Sequence, residues 1–258
     1  GKLNGNYVLA SETCALDLIQ AEFVREIDPG EIVIIDGNGI RSIRTPVPAC
    51  SAFCIFEFIY FARPDSNIYG KNVYAVRKAH GRRLAIEAPV EADLVMPFPD
   101  SGTYAALGYS EQSKIPFEMG MIRNHYVGRT FIQPSQSMRD FGVRVKLNPI
   151  RDLLKGKDII IIEDSIIRGT TAKTRVRALR ELGVKRVHMR VAGPPHRFPC
   201  HYGIDFSTRG ELIAHEKSEK ELGDLLGLDS LSYLSLEGLL ESMEIKAPEQ
   251  TFCKACFD

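Results

Sequence analysis

The run Asp158-Ile-Ile-Ile-Ile-Glu-Asp164, continued by Ser165-Ile-Ile-Arg-Gly-Thr-Thr171, narrows most sharply what this chain can fold into. Four consecutive isoleucines are stiff at χ1 and apolar on both faces, which suits a central parallel strand covered on both sides. Such a strand belongs inside an α/β sheet. At its carboxyl end Glu163 and Asp164 are neighbours, so on an extended backbone they point to opposite sides. At least one of them faces the crevice where open parallel sheets bind ligands. A carboxylate there suits ribose hydroxyls or Mg²⁺.

The residues that follow read as an anion site. Gly169 permits a tight turn, Thr170 and Thr171 offer hydroxyls and N-cap chemistry, and Ala172 to Leu182 reads as a helix. Its free N–H groups and positive dipole end would receive a phosphate. A diol and metal at one end and a phosphate at the other outline a sugar phosphate. A threonine-capped strand-turn-helix unit accounts for Gly-Thr-Thr alone, but not for the carboxylate pair and isoleucine run before it.

From Cys54 onward helices and strands alternate, the signature of a parallel sheet with right-handed crossovers. Val73 to Glu87 and Thr103 to Tyr109 read as helices; Asp93 to Pro97, Asp158 to Ile162 and Arg186 to Ala192 read as strands. The tail from Glu211 to Met243 reads as helical and amphipathic. Before Cys54 the pattern differs. Tyr7 to Ala10, Glu31 to Asp36 and Ile40 to Thr45 are strand-like, the last two separated by Asp-Gly-Asn-Gly, a strong hairpin turn. Cys14 to Ile27 has helical periodicity and ends at Asp28-Pro29-Gly30.

A second small-residue loop, Phe98-Pro-Asp-Ser-Gly-Thr103, follows the strand that ends at Pro97 and opens a helix. Its backbone N–H groups can approach an anion closely; a simple Asx turn capping the helix is the plainer reading. Arg123 to Leu147 is long, weakly periodic and rich in Arg, Gln and Ser. A structureless stretch of that length in a compact domain is a lid or a solvated loop.

Composition excludes some classes. The 258 residues can bury a sizeable core, and 33 basic residues balance 33 acidic ones, which gives no support for nucleic-acid binding. No apolar run approaches the roughly 18 residues needed to span a bilayer, and no secretory segment opens the chain, so it reads as soluble and cytoplasmic. Six cysteines stand at 14, 50, 54, 200, 253 and 256. In such a compartment they favour a metal, or nothing, over disulfides. Cys54, Cys200, Cys253 and Cys256 together suit tetrahedral Zn²⁺ or a [4Fe–4S] cluster, and spacing does not choose between them. Cys14 and Cys50 read as small buried hydrophobes. None of the six histidines pairs with a Ser or Cys as a catalytic dyad, and His80, His188, His196 and His215 are expected to be structural.

The segment Glu163 to Thr171 resembles the phosphoribosyl-pyrophosphate (PRPP) motif of the type I phosphoribosyltransferases, in the wording of the glutamine PRPP amidotransferase (amidophosphoribosyltransferase) family. Similar wording runs through Tyr7-Val-Leu-Ala-Ser-Glu12, Phe56-Glu-Phe-Ile-Tyr-Phe-Ala-Arg-Pro-Asp65, Tyr126-Val-Gly-Arg-Thr-Phe-Ile-Gln-Pro-Ser-Gln136 and Pro199-Cys-His-Tyr-Gly-Ile-Asp205. The resemblance implies a type I phosphoribosyltransferase fold over residues 51–258, preceded at 1–50 by the end of an N-terminal-nucleophile glutaminase domain. On that expectation the chain is a fragment. The implied reaction is displacement of pyrophosphate from PRPP by ammonia, giving 5-phosphoribosylamine, the first step of purine biosynthesis.

The same resemblance implies roles for particular residues. Asp100 and Ser101 sit in the pyrophosphate loop, where the family often carries a second Ser or Thr in place of Gly102. Ser165, Arg168, Gly169, Thr170 and Thr171 cradle the 5′-phosphate, and Ser101, Glu163 and Asp164 lie at the Mg²⁺ and ribose end. The stretch Arg123 to Leu147 becomes a lid bringing Arg129, Thr130 and Lys146 to the pyrophosphate. One branch of the family carries a [4Fe–4S] cluster on cysteines matching Cys54, Cys200, Cys253 and Cys256. Partners implied are PRPP, ammonia or glutamine, AMP or GMP as feedback inhibitors, and further copies of the chain in a tetramer. A PRPP-sensing regulator that has lost catalysis is the alternative; it would add a DNA-binding module and a basic face, neither of which is evident.

Overall fold

The structure, a computed structural model, describes residues 1–44, 52–124, 147–244 and 251–258. Expectations for Cys50, Arg129, Thr130, Lys146 and most of the lid stretch lie outside the described residues. The chain forms two compact units, Gly1–Val76 with Glu244–Lys254, and Arg77–Met243 with Ala255–Asp258. The domain boundary expected at residue 50 falls in segment 45–51, also outside the described residues.

In the first unit the antiparallel hairpin of Glu31–Asp36 with Gly39–Arg44 forms around Gly37 and Asn38, pairing Ile32 with Ile43 and Ile35 with Ile40. The helix expected over Cys14 to Ile27 is shorter, Thr13–Leu18. Gln20 turns to φ 59° and Glu22 exchanges both backbone hydrogen bonds with Lys2 at 2.8 Å. Those strand-type bonds replace the helical ones, which local periodicity cannot foresee. The strand expected over Tyr7 to Ala10 is reduced to Asn6–Tyr7. Thr251–Cys253 lies parallel to Ala52–Cys54, with Cys253 opposite Cys54. The Phe53 ring meets Tyr69, Phe58 and Phe252 edge-on, at centroid distances of 4.5, 6.0 and 6.5 Å.

The second unit is built on four parallel strands, β1 (Leu94–Pro97), β2 (Asp158–Glu163), β3 (Arg186–Val191) and β4 (Ser230–Tyr233), in the order β4-β3-β2-β1. Ile159 to Ile162 are all 0% exposed, as a strand covered on both faces requires. Helices α1 (Val73–Glu87), α2 (Thr103–Ser113), α3 (Thr170–Leu182), α4 (Glu219–Leu226) and α5 (Leu236–Ser242) surround the sheet in sequence. One face is a continuous core. Met96, Ile159, Ile161, Val187 and Met189 meet Val176 and Leu179 of α3 and Leu222 and Leu226 of α4.

The tail expected as helix over Glu211 to Met243 instead contains α4, β4 and α5, and β4 adds the outer strand of the sheet. Two local signals divide it. Ser218 and Glu221 form a capping box at the start of α4, and Gly227 ends it at φ 77°. Leu231 and Tyr233 then alternate inward between half-buried serines, the period of a strand.

No helix among the described residues is long and apolar enough to cross a membrane. The expected structural histidines are held within the second unit. His80 Nδ1 lies 2.7 Å from Ser242 Oγ, His188 Nδ1 lies 2.8 Å from Ser230 Oγ, and His215 Nδ1 lies 2.5 Å from the Arg197 carbonyl. His196 meets the rings of Phe206 and Phe257 edge-on.

Candidate active site

The parallel sheet brings two loops together at the carboxyl ends of β1 and β2. Phe98 N–H donates to the Ile162 carbonyl at 2.9 Å and Gly102 N–H to the Phe98 carbonyl at 3.1 Å, wrapping the loop after β1 against the end of β2. Gly102 is required there. A β-carbon at this position would stand 2.2 Å from the Ile162 carbonyl oxygen, so the Ser or Thr common in the family cannot be accommodated on this backbone.

Glu163 and Asp164 do not point apart as adjacency on an extended strand predicts: a side-chain hydrogen bond joins their carboxyls. Glu163 turns to the α3 side, where its Oε2 lies 3.6 Å from Arg175 Nη1. The Arg175 guanidinium sits over the Phe98 ring, 4.7 Å from its centroid. Glu163 Oε2 and Arg175 Nε are buried and have no hydrogen-bond partner among the described residues. Burial, reinforced by the Asp164 charge and opposed by Arg175, holds the Glu163 carboxyl well above the usual carboxylate range.

Asp164 is 4% exposed. Ser165 Oγ donates to its Oδ2 at 2.7 Å, and the Ser101 hydroxyl is a second hydrogen-bond partner. Burial raises its pKa, while these hydroxyls and the charge of buried Arg77 work the other way. Ser101, Asp164 and Ser165 therefore form one cluster drawn from both loops.

The remaining predicted residues are placed as follows. Asp100 is ion-paired to Arg123, which stands just ahead of segment 125–146. Gly169, at φ 72°, precedes α3, and a β-carbon there would lie 2.3 Å from the Ile213 side chain. Its carbonyl accepts the first bond of α3 from Lys173 N–H at 2.9 Å, so the N–H groups of Thr170, Thr171 and Ala172 have no acceptor within the helix. Thr170 and Thr171 are exposed there, which suits an anion. Arg168 turns to Glu211 at 2.6 Å and joins the Asp205 carbonyl at 3.5 Å.

Reading the sequence missed Phe98, Arg77, Arg123 and Arg175. A signal for Arg175 did exist, because Ala172, Arg175, Leu179 and Leu182 share one helical stripe, and an arginine among core positions asks for a buried partner.

Among the described residues no group of three or more His, Cys, Asp or Glu side chains is placed to hold a metal ion. The carboxylate pair still fits Mg²⁺, which takes one or two protein carboxylates and completes its shell with substrate phosphates and water. The two carboxyls, close enough to share a hydrogen bond, would supply oxygen donors to such an ion. Cys54, Cys200, Cys253 and Cys256 are half-buried, and Cys14 is buried as expected. In the first unit Cys253 stands opposite Cys54. In the second, Tyr202 N–H points at Cys200 Sγ at 3.4 Å, and the Cys256 carbonyl accepts from Arg197 and Phe198 N–H groups.

A parallel sheet with an adjacent acidic pair at the end of its central strand, followed by a glycine-capped helix, defines an α/β protein of the type I phosphoribosyltransferase class. Comparison with known proteins is more specific. The chain is 49% identical over 263 residues to an amidophosphoribosyltransferase of Mycobacterium tuberculosis, a match taking in 100% of this chain and 49% of the relative. It is 50% identical over 260 residues to one of Staphylococcus aureus, covering 100% and 53% respectively. A solved glutamine PRPP amidotransferase from B. subtilis, complexed with ADP and GMP, superposes with a TM-score of 0.88 at 48% identity, over 96% of this chain and 55% of that one. A structure described as the allosteric regulatory enzyme of purine biosynthesis gives 0.89 at 48% identity, over 96% and 54%. No family model matches the chain. Over its whole length the chain is a homologue of the amidophosphoribosyltransferases, and it spans about half the length of the curated relatives it matches.

Proposed function

We propose that this chain carries the phosphoribosyl-transfer step of an amidophosphoribosyltransferase, joining ammonia to PRPP to give 5-phosphoribosylamine and pyrophosphate. The observation that carries this reading is the placement of Ser101, Glu163 and Asp164 at one sheet edge beside the free N–H groups of α3. Glu163 and Asp164 take the ribose hydroxyls. Ser165, Gly169, Thr170 and Thr171 receive the 5′-phosphate, and the loop from Asp100 to Gly102 receives the pyrophosphate. Arg168, held by Glu211, borders the phosphate loop. Mg²⁺ held through Glu163, Asp164 and Ser101 would neutralise charge on the departing pyrophosphate.

Ammonia is already a nucleophile, so no strong general base is needed. Its nitrogen bonds carbon 1 as the bond to the pyrophosphate oxygen breaks, the configuration inverts, and the nitrogen gives up a proton to solvent. Positioning and electrostatic relief of the leaving group supply the catalysis. Arg129 and Lys146, outside the described residues, are proposed to add positive charge at the pyrophosphate, with the surrounding stretch excluding water.

The nitrogen is proposed to arrive as ammonia, which the longer proteins of the family draw from glutamine. AMP or GMP as inhibitors, a tetramer and a cytoplasmic location complete the reading, as does a [4Fe–4S] cluster on Cys54, Cys200, Cys253 and Cys256. The test is pyrophosphate release after anaerobic purification, with PRPP and Mg²⁺ and either ammonium or glutamine. Release with ammonium is expected. A folded protein that binds PRPP but releases nothing with either donor would move the reading to a PRPP-sensing regulator.

A further inference from the structure

We infer that Arg175 is a positioning residue for the acidic pair: lying over the Phe98 ring and facing the buried Oε2 of Glu163, it fixes where that carboxyl sits at the ribose end of a sugar phosphate. This rests on the proposed binding of PRPP. Three elements meet at the contact. Phe98 opens the loop after β1, Glu163 ends β2 and Arg175 lies on α3, so one guanidinium ties both substrate loops to the helix whose first turn faces the phosphate.

The geometry is that of a holder rather than a competitor. At 3.6 Å the Arg175 Nη1 to Glu163 Oε2 distance is inside ion-pair range and beyond a hydrogen bond. Arg175 thus confines the buried Oε2 of Glu163 from the α3 side without bonding it. Phe98 is 0% exposed and so cannot move aside, and a guanidinium over its ring is the arrangement that cation–π attraction favours. Arginine suits both contacts; a lysine retains the charge but loses the planar face.

The groups facing the pair are few. Asp164 and Arg175 are the charged groups that act on Glu163, and Glu163 and Asp164 are those that act on Arg175. A methionine at 175 preserves the stem and its packing while removing the charge, which keeps the substitution specific.

The test is a double-substitution cycle read by calorimetric binding of PRPP with Mg²⁺ to the whole chain. Wild type, Arg175→Met, Glu163→Gln and the double variant are compared, with Arg175→Lys as the charge-retaining control. Arg175→Met is expected to weaken PRPP about tenfold, Arg175→Lys less, and the double variant no more than Glu163→Gln alone, because Arg175 acts through Glu163. Unchanged affinity in Arg175→Met, or losses that simply multiply in the double variant, would overturn the inference. Should Arg175→Met not fold, Arg175→Lys and Phe98→Leu replace it, and unchanged affinity in both would overturn it equally. A folded wild type that does not bind PRPP would sink the proposed function itself, a result distinct from all of these.

Discussion

Gly102 and the Ile162 carbonyl oxygen are so close that no side chain fits between them: a β-carbon on Gly102 would stand 2.2 Å from that oxygen. Both partners are backbone, on the substrate loop and on the central strand, so neither can rotate away. Gly102→Ala is therefore expected to destabilise the fold by about 1–3 kcal/mol, the usual cost of overpacking. It should also weaken PRPP binding, because the loop carrying Ser101 must lift off the strand. Urea unfolding and calorimetry on one preparation check both; wild-type values in either would mean that the loop relaxes at no cost.

Asp164 combines near-complete burial with a raised pKa, which means that its ionised form is disfavoured in the folded state. The unfolded chain carries the same charge in water without penalty. At neutral pH the charge thus opposes folding, and Asp164→Asn is expected to raise the urea midpoint while weakening PRPP binding at least tenfold. Stability and function would move in opposite directions, as at sites kept for chemistry. A fall in the midpoint would show that the Ser101 and Ser165 hydroxyls outweigh the burial.

His80 and His196 give the fold an acid limit. Burial lowers both to about 3, with the Arg77 charge adding to the effect at His80. In the unfolded chain each titrates near 6.5. The stability contributed by keeping them neutral is full above that value and is lost as pH falls toward 3, because the unfolded state binds the protons. The expected slope is up to about 1.4 kcal/mol per pH unit for each histidine. Urea midpoints from pH 7.5 to 4.5 check the sign, and His80→Gln should flatten part of the decline.

If the four cysteines hold a cluster, anaerobically purified protein contains iron and sulfide in equal amounts and is coloured. Cys253→Ser should lose that iron and lower the melting temperature, yet retain PRPP binding, since Cys253 lies in Gly1–Val76 with Glu244–Lys254 and the substrate loops in the other unit. Zinc in place of iron would redirect the assignment to a tetrahedral structural site.

What the sequence made legible follows from where the signal is local. The isoleucine run and the glycine before α3 are properties of contiguous residues and stand as expected, whereas the expected divergence of Glu163 from Asp164 gives way to a hydrogen bond between their carboxyls. The strand Ser230–Tyr233 was hidden because four residues between two leucine-rich helices share the composition of both. The helix after Thr13 was overextended because hydrogen bonds to Lys2 are settled by tertiary pairing. Arg175, Arg77 and Phe98 acquire their meaning only when α3, α1 and the loop after β1 converge, and no spacing along the chain records that. Arg123 met Asp100 for the same reason.

The pairing of Thr251–Cys253 with Ala52–Cys54 sets the order in which the molecule can be completed. It closes a loop of roughly 200 residues, at an entropic cost of about 5 kcal/mol for a flexible segment of that length. Until that pairing forms, the Phe53 ring lacks its edge-on contact with Phe252. The strand Thr251–Cys253 thus acts as a fastener on a segment far from it in sequence, and its loss would leave the Phe53 ring uncovered on that side.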